Sequence, residues 1–120
     1  MTNARILLVE DDAVVAMVVE EMLIERGYDV LVTSNLDDAL HDLDFGSFDA
    51  AVLDLHLRGD DGLPVAEGLS TRGIPFLFLT GSDTSGLKGR YASAPIVRKP
   101  FDRATLESAV AALLAAPTAP

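Results

Sequence analysis

Short, nearly unbroken apolar runs alternate along this chain with longer segments of helical period. The runs RILLVE (5–10), DVLVTS (29–34), DAAVLDL (49–55), IPFLFLT (74–80) and APIVRK (94–99) have strand length and are rich in Val, Ile, Leu and Phe. Continuous rather than alternating hydrophobicity suits strands covered on both faces, as in a parallel sheet. Between them, residues 13–26 carry Val15, Val18, Met22 and Leu23 at helical spacing and run up to Gly27, a residue that readily stops a helix. Residues 36–45 repeat Leu36, Ala39, Leu40 and Leu43 after Asn35, a candidate cap. Residues 63–72 open on Leu63-Pro64, where proline is tolerated in a first turn, and residues 103–115 carry Leu106, Val110, Leu113 and Leu114 after Asp102. The stretch GSDTSGLKGRYAS (81–93) breaks the rhythm, because its glycines and serines weaken any helix there.

Five strands alternating with helices imply right-handed crossovers and a doubly wound α/β fold, a five-stranded parallel sheet in the order 2-1-3-4-5. One domain is expected over 1–120, with a core at about 4–115 and the last residues, 116–120, frayed. In this class of sheet, ligands sit beyond the carboxyl ends of the strands. Those ends present Glu10 and Asp11, Asp54, Thr80 and Lys99. Strands 1 and 3 are neighbours about 4.8 Å apart, so Asp11 and Asp54 can face each other. Two such carboxylates repel unless they share a hard divalent cation, and Mg²⁺ is usually held by one or two carboxylates plus water. Lys99 starts two strands away from Asp54, roughly 10 Å at the backbone, a gap that a long cationic side chain closes. An aspartate flanked by a metal, an ammonium and a hydroxyl is equipped to attack a phosphoryl group while charge on the transferring oxygens is neutralised.

Composition narrows the alternatives. The net charge of −10 argues against binding nucleic acid or an anionic membrane surface, both of which need a basic face. The chain has no cysteine, which excludes disulfides, thiol nucleophiles and Cys-ligated zinc and is compatible with a reducing compartment. No stretch has the length of a membrane span or the layout of a signal peptide, so a cytoplasmic location is expected. His41 reads as a helix-surface residue, and Phe76 and Phe78 as core.

Taken in order, LLVEDD, AVLDLHLRGDDG, LFLTG and RKPF make the chain resemble the receiver domain of bacterial two-component response regulators, from Ile6 to about Leu114. Each motif is common alone; the four at this spacing are specific. The resemblance implies a flavodoxin-like fold and a phosphorelay protein that catalyses only its own phosphorylation and dephosphorylation. It implies Asp54 as phosphoacceptor, Asp11 as direct metal ligand and Glu10 acting largely through metal-bound water. The backbone carbonyl of His56 would complete the shell of Mg²⁺, with Mn²⁺ as an alternative. Thr80 and Lys99 take phosphate-sensing roles, and a cis Lys99–Pro100 peptide is expected. The implied partners are a histidine kinase or histidine phosphotransfer protein and a downstream protein, with the chain a monomer or weak dimer. Asp12 is then left to cap the first helix, as Asp does well.

Several positions depart from the family pattern. Arg58 and Asp60 stand where a proline and a hydrophobic residue are usual, and Gly81 follows Thr80 where many receivers have Ala. Ile96 replaces the usual switching aromatic, so phosphorylation is expected to be reported through residues 81–93 instead. Thr-Gly after the fourth strand is similar to a subgroup of stand-alone receivers, although a domain of a hybrid kinase would look the same. Two rival readings remain. A haloacid-dehalogenase-type phosphatase uses a similar set but needs an Asp where His56 stands, and a degenerate receiver is disfavoured because every catalytic position is filled.

Overall fold

The computed structural model describes residues 3–57, 59–81, 91 and 94–115. Its elements run β1 (Arg5–Val9), α1 (Ala13–Glu25), β2 (Asp29–Thr33), α2 (Leu36–Phe45), β3 (Ala50–Leu53), β4 (His56–Leu57), β5 (Asp60–Asp61), α3 (Leu63–Thr71), β6 (Phe76–Thr80), β7 (Ile96–Arg98) and α4 (Arg103–Ala115). The main sheet has the order β2-β1-β3-β6-β7, with every neighbouring pair parallel. Counting its own strands alone, this is the expected 2-1-3-4-5. The expectations for residues 82–90, for most of the weak stretch 81–93 and for the tail 116–120 lie outside the described residues.

Alternate residues of β1, β3 and β6 serve different cores. Leu7, Val9, Leu53, Phe76 and Phe78 pack against Ala39 and Leu43 of α2 and Val65 and Leu69 of α3. Ile6, Leu8, Val52, Leu77, Leu79 and Val97 pack against Val19, Met22 and Leu23 of α1 and Leu106, Val110 and Leu113 of α4. Each fully buried aliphatic or aromatic side chain stabilises the fold by about 1.5–3 kcal/mol. Phe76 and Phe78 are core residues as expected, meeting edge to face with centroids 5.5 Å apart.

Helix starts follow the sequence closely. Asp12 Oδ1 accepts from the N–H groups of Val14 at 2.9 Å and Val15 at 3.2 Å, Asn35 Oδ1 from that of Asp38 at 2.8 Å, and Asp102 Oδ2 from that of Thr105 at 3.1 Å. Such caps are worth about 1 kcal/mol each. Gly27 follows α1 at φ +91°, the left-handed backbone that favours glycine.

Two details differ from the sequence reading. The run 49–55 is not one strand: β3 stops at Leu53, and the chain turns into a separate two-stranded antiparallel hairpin, His56 opposite Asp61 and Leu57 opposite Asp60. Buried Leu55 and Leu57 prolong the apolar run outside the sheet, and Gly59 at φ +85° makes the turn. In α1, Val18 faces outward while Val19 joins the core. Val14, Met17 and Ile24 are exposed as well, beside Glu21 and Glu25, so apolar residues stand on the outer side too and their periodicity does not mark one face.

Candidate functional site

Three strand ends and one long side chain build the site. Glu10 and Asp11 follow β1, Asp54 follows β3 on the neighbouring strand, and oxygen atoms of all three carboxylates lie within 4.8 Å of one another. Glu10 and Asp54 are buried and Asp11 is half-buried. Lys99, just past β7, closes the gap: its Nζ lies 2.7 Å from Glu10 Oε1 and 3.0 Å from Asp54 Oδ2. Both contacts are close ion pairs, and the one to Asp54 is also a hydrogen bond. The Lys99–Pro100 peptide is cis.

Backbone amides fix the remaining carboxylate oxygens. The Asp12 N–H donates to Glu10 Oε2 at 3.1 Å, and the His56 N–H donates to Asp54 Oδ1 at 3.2 Å. Thr80 ends β6 fully buried, and its carbonyl accepts from the Lys99 N–H at 3.2 Å, which ties the hydroxyl-bearing and ammonium-bearing residues together through the backbone. His56 itself is exposed, on β4. His41 is exposed on α2 with its ring 4.7 Å from that of Phe45.

The electrostatics follow from this crowding. Burial pushes the Glu10 carboxyl up to about 7 despite the opposing pull of Lys99, and the nearby Asp54 charge adds to the rise. Burial also works against the Lys99 ammonium, but its contacts with Glu10 and Asp54 outweigh that and hold it above the ordinary lysine value. One ammonium thus stands among three acids. An all-oxygen donor set of this kind, without imidazole or thiolate, fits a hard dication such as Mg²⁺ rather than zinc or copper.

The sequence-predicted residues Glu10, Asp11, Asp54, Thr80 and Lys99 therefore meet at one rim. Sequence reasoning missed the contact of Lys99 with Glu10, since strand spacing shows how far a lysine reaches but not which acid it chooses. It also missed the hairpin that carries His56.

The family model for the response regulator receiver domain matches residues 6–111. The chain belongs to this family. Among curated proteins, the receiver is 35% identical over 114 residues to the transcriptional activator protein IrlR of Burkholderia pseudomallei, covering 92% of this chain and 50% of that protein. It thus spans half the length of the curated relatives it matches. Among solved structures, SdrG from Sphingomonas melonis is 37% identical, with a TM-score of 0.81 and coverage of 95% of this chain and 99% of SdrG. The receiver domain of the sensor histidine kinase PA1611 from Pseudomonas aeruginosa is 27% identical, with a TM-score of 0.82 and coverage of 96% and 100%; that structure has a magnesium ion coordinated in its active-site cleft. The role of this receiver in phosphorelay signalling follows from its family. No helix among its described residues is long and apolar enough to cross a membrane.

Proposed function

We propose that Asp54 is the phosphoacceptor of this receiver and that Glu10, Asp11, Asp54 and the backbone carbonyl of His56 hold Mg²⁺, with Mn²⁺ able to substitute. The supporting observation is the convergence of three carboxylates with Lys99 Nζ, 3.0 Å from Asp54 Oδ2, at the strand ends. A carboxylate oxygen of Asp54 attacks the phosphorus of a phosphohistidine or a small acyl phosphate. The bond from phosphorus to the leaving group breaks, the leaving group departs with its electron pair, and an aspartyl phosphate remains. Lys99 transfers its pairing from the carboxylate to the phosphoryl oxygens, and the Thr80 hydroxyl donates to another of them. A dication held by Glu10, Asp11, Asp54 and the His56 carbonyl would supply further neutralisation of charge on the transferring oxygens.

The donor is a histidine kinase or a histidine phosphotransfer protein, and residues 1–120 act as one receiver domain in the cytoplasm, as a monomer or weak dimer. It catalyses chemistry on itself and signals through contact with a downstream protein. Ile96, exposed on β7, has no ring to swing between two positions. The decisive experiment incubates the full chain with Mg²⁺ and acetyl phosphate and reads intact mass. One phosphoryl group adds to the wild type and none to Asp54→Asn; an unchanged adduct in the variant moves the acceptor elsewhere.

A further inference from the structure

We propose that Gly62 is a positioning residue for the Asp54 carboxylate: its missing side chain lets the start of α3 close directly onto the Asp54–Leu55 peptide. This rests on the reading of Asp54 as phosphoacceptor. Gly62 is buried at φ −77° and ψ −5°, a conformation open to any residue, so backbone freedom does not explain a glycine there. Space does. A Cβ at this position would lie 2.5 Å from the Asp54 carbonyl oxygen, 3.2 Å from Leu55 Cα and 3.3 Å from the Leu55 carbonyl oxygen. All three are backbone atoms, so no side-chain rotation relieves the clash.

The close approach forms a neck. The Gly62 N–H donates to the Leu55 carbonyl at 2.7 Å, closing the segment that contains the β4–β5 hairpin. On the other side, the Asp54 N–H donates to the Val9 carbonyl at 3.0 Å and fastens Asp54 to β1. The backbone from Asp54 to His56 is thus held from two directions. From that backbone the His56 N–H reaches Asp54 Oδ1 at 3.2 Å, which leaves Oδ2 turned to Lys99. Adding a Cβ at position 62 forces the peptide or the helix start to move, and the amide that orients the carboxylate moves with it.

Gly46 provides the comparison. A Cβ there would lie 2.9 Å from the Asp42 carbonyl oxygen, again backbone, at the end of α2 and outside the group of acids around Lys99. The test uses the full, ¹⁵N-labelled chain as wild type, Gly62→Ala, Gly46→Ala and Asp54→Asn. Urea unfolding, the rate of labelling by acetyl phosphate at saturating Mg²⁺ and the amide proton shift of His56 are measured for each. Misplacement of a reacting group by about 1 Å costs on the order of 100-fold, so Gly62→Ala is expected to label about 10- to 100-fold more slowly, with the His56 amide shifted upfield. Gly46→Ala loses stability but keeps the wild-type rate and amide shift. If Gly62→Ala does not fold, Leu57→Ala carries the test, because it removes the hairpin's buried anchor and is expected to cause the same two changes. Labelling at the wild-type rate with an unmoved His56 amide, in whichever variant is folded, overturns the proposal. Labelling of Asp54→Asn like the wild type overturns the phosphoacceptor reading and this role together, and is distinguished by that variant alone.

Discussion

At the N-terminal rim of the sheet, Arg5, Asp29 and Asp49 are exposed, and the Arg5 N–H donates to Asp49 Oδ2 at 2.8 Å in water. At the C-terminal rim stand Glu10, Thr33, Asp54 and Thr80, which are all the buried polar or charged side chains among the described residues. The same five strands build both rims, so sheet geometry does not account for the contrast. Burying carboxylates side by side works against folding, since each loses hydration and repels the other. The N-terminal rim shows that this chain can place acids in solvent. The C-terminal rim keeps them buried, where, on the proposed reading, an incoming phosphoryl group would meet pre-aimed charges with little water to reorganise.

Removal of the cation is the harshest way to break that contrast. Lys99→Met is expected to slow labelling by acetyl phosphate by about 10²- to 10³-fold, the scale of losing one preorganised donor to the transferring oxygens. A wild-type rate would mean that the buried rim is chemically no different from the exposed one.

A smaller effect comes from pH. The Glu10 carboxyl titrates near 7 in the folded chain against an ordinary value of 4.5, so its contribution to stability is full below 4.5 and is lost as pH rises through about 7. Lys99 stays charged throughout this window, its own value being held above that of an ordinary lysine. Metal needs the ionised acid, so the gain in melting temperature on adding Mg²⁺ is expected to be larger at about pH 8 than at about pH 5. An equal gain at both would show that Glu10 is not part of the metal-linked group.

The smallest effect belongs to the opposite rim. Asp49→Ala removes the exposed contact to Arg5 and is expected to cost no more than about 1 kcal/mol in urea unfolding, with the labelling rate unchanged. A loss of labelling there would erase the distinction between the rims.

How much of this was legible in the sequence depended on whether a signal was local. Strand runs such as ILLV and FLFL carry their burial in their composition, and Asp12, Asn35 and Asp102 announce caps within three residues. The acids at strand ends could be paired once the strand order was set. Leu55 misled because an apolar run does not say whether its residues pair in the main sheet or fill a core from a loop. Val18 misled because its helix also carries apolar residues on its outer side. Gly62 carried no readable signal beyond sitting in DDG, since its role is a contact between backbones that sequence spacing does not encode.

The assignment of alternate strand residues to two cores also makes the two faces of the sheet depend on different stretches of the chain. The layer built on α2 and α3 draws its buried residues from Leu7 to Tyr91, all of them ahead of the C-terminal helix in the chain. The layer on α1 also draws on Leu106, Val110 and Leu113, among the last described residues of the chain. Without them, Ile6, Leu8, Val19, Met22 and Leu23 lack part of their cover. A chain shortened before α4 is therefore expected to expose the face of the sheet that packs on its own first helix.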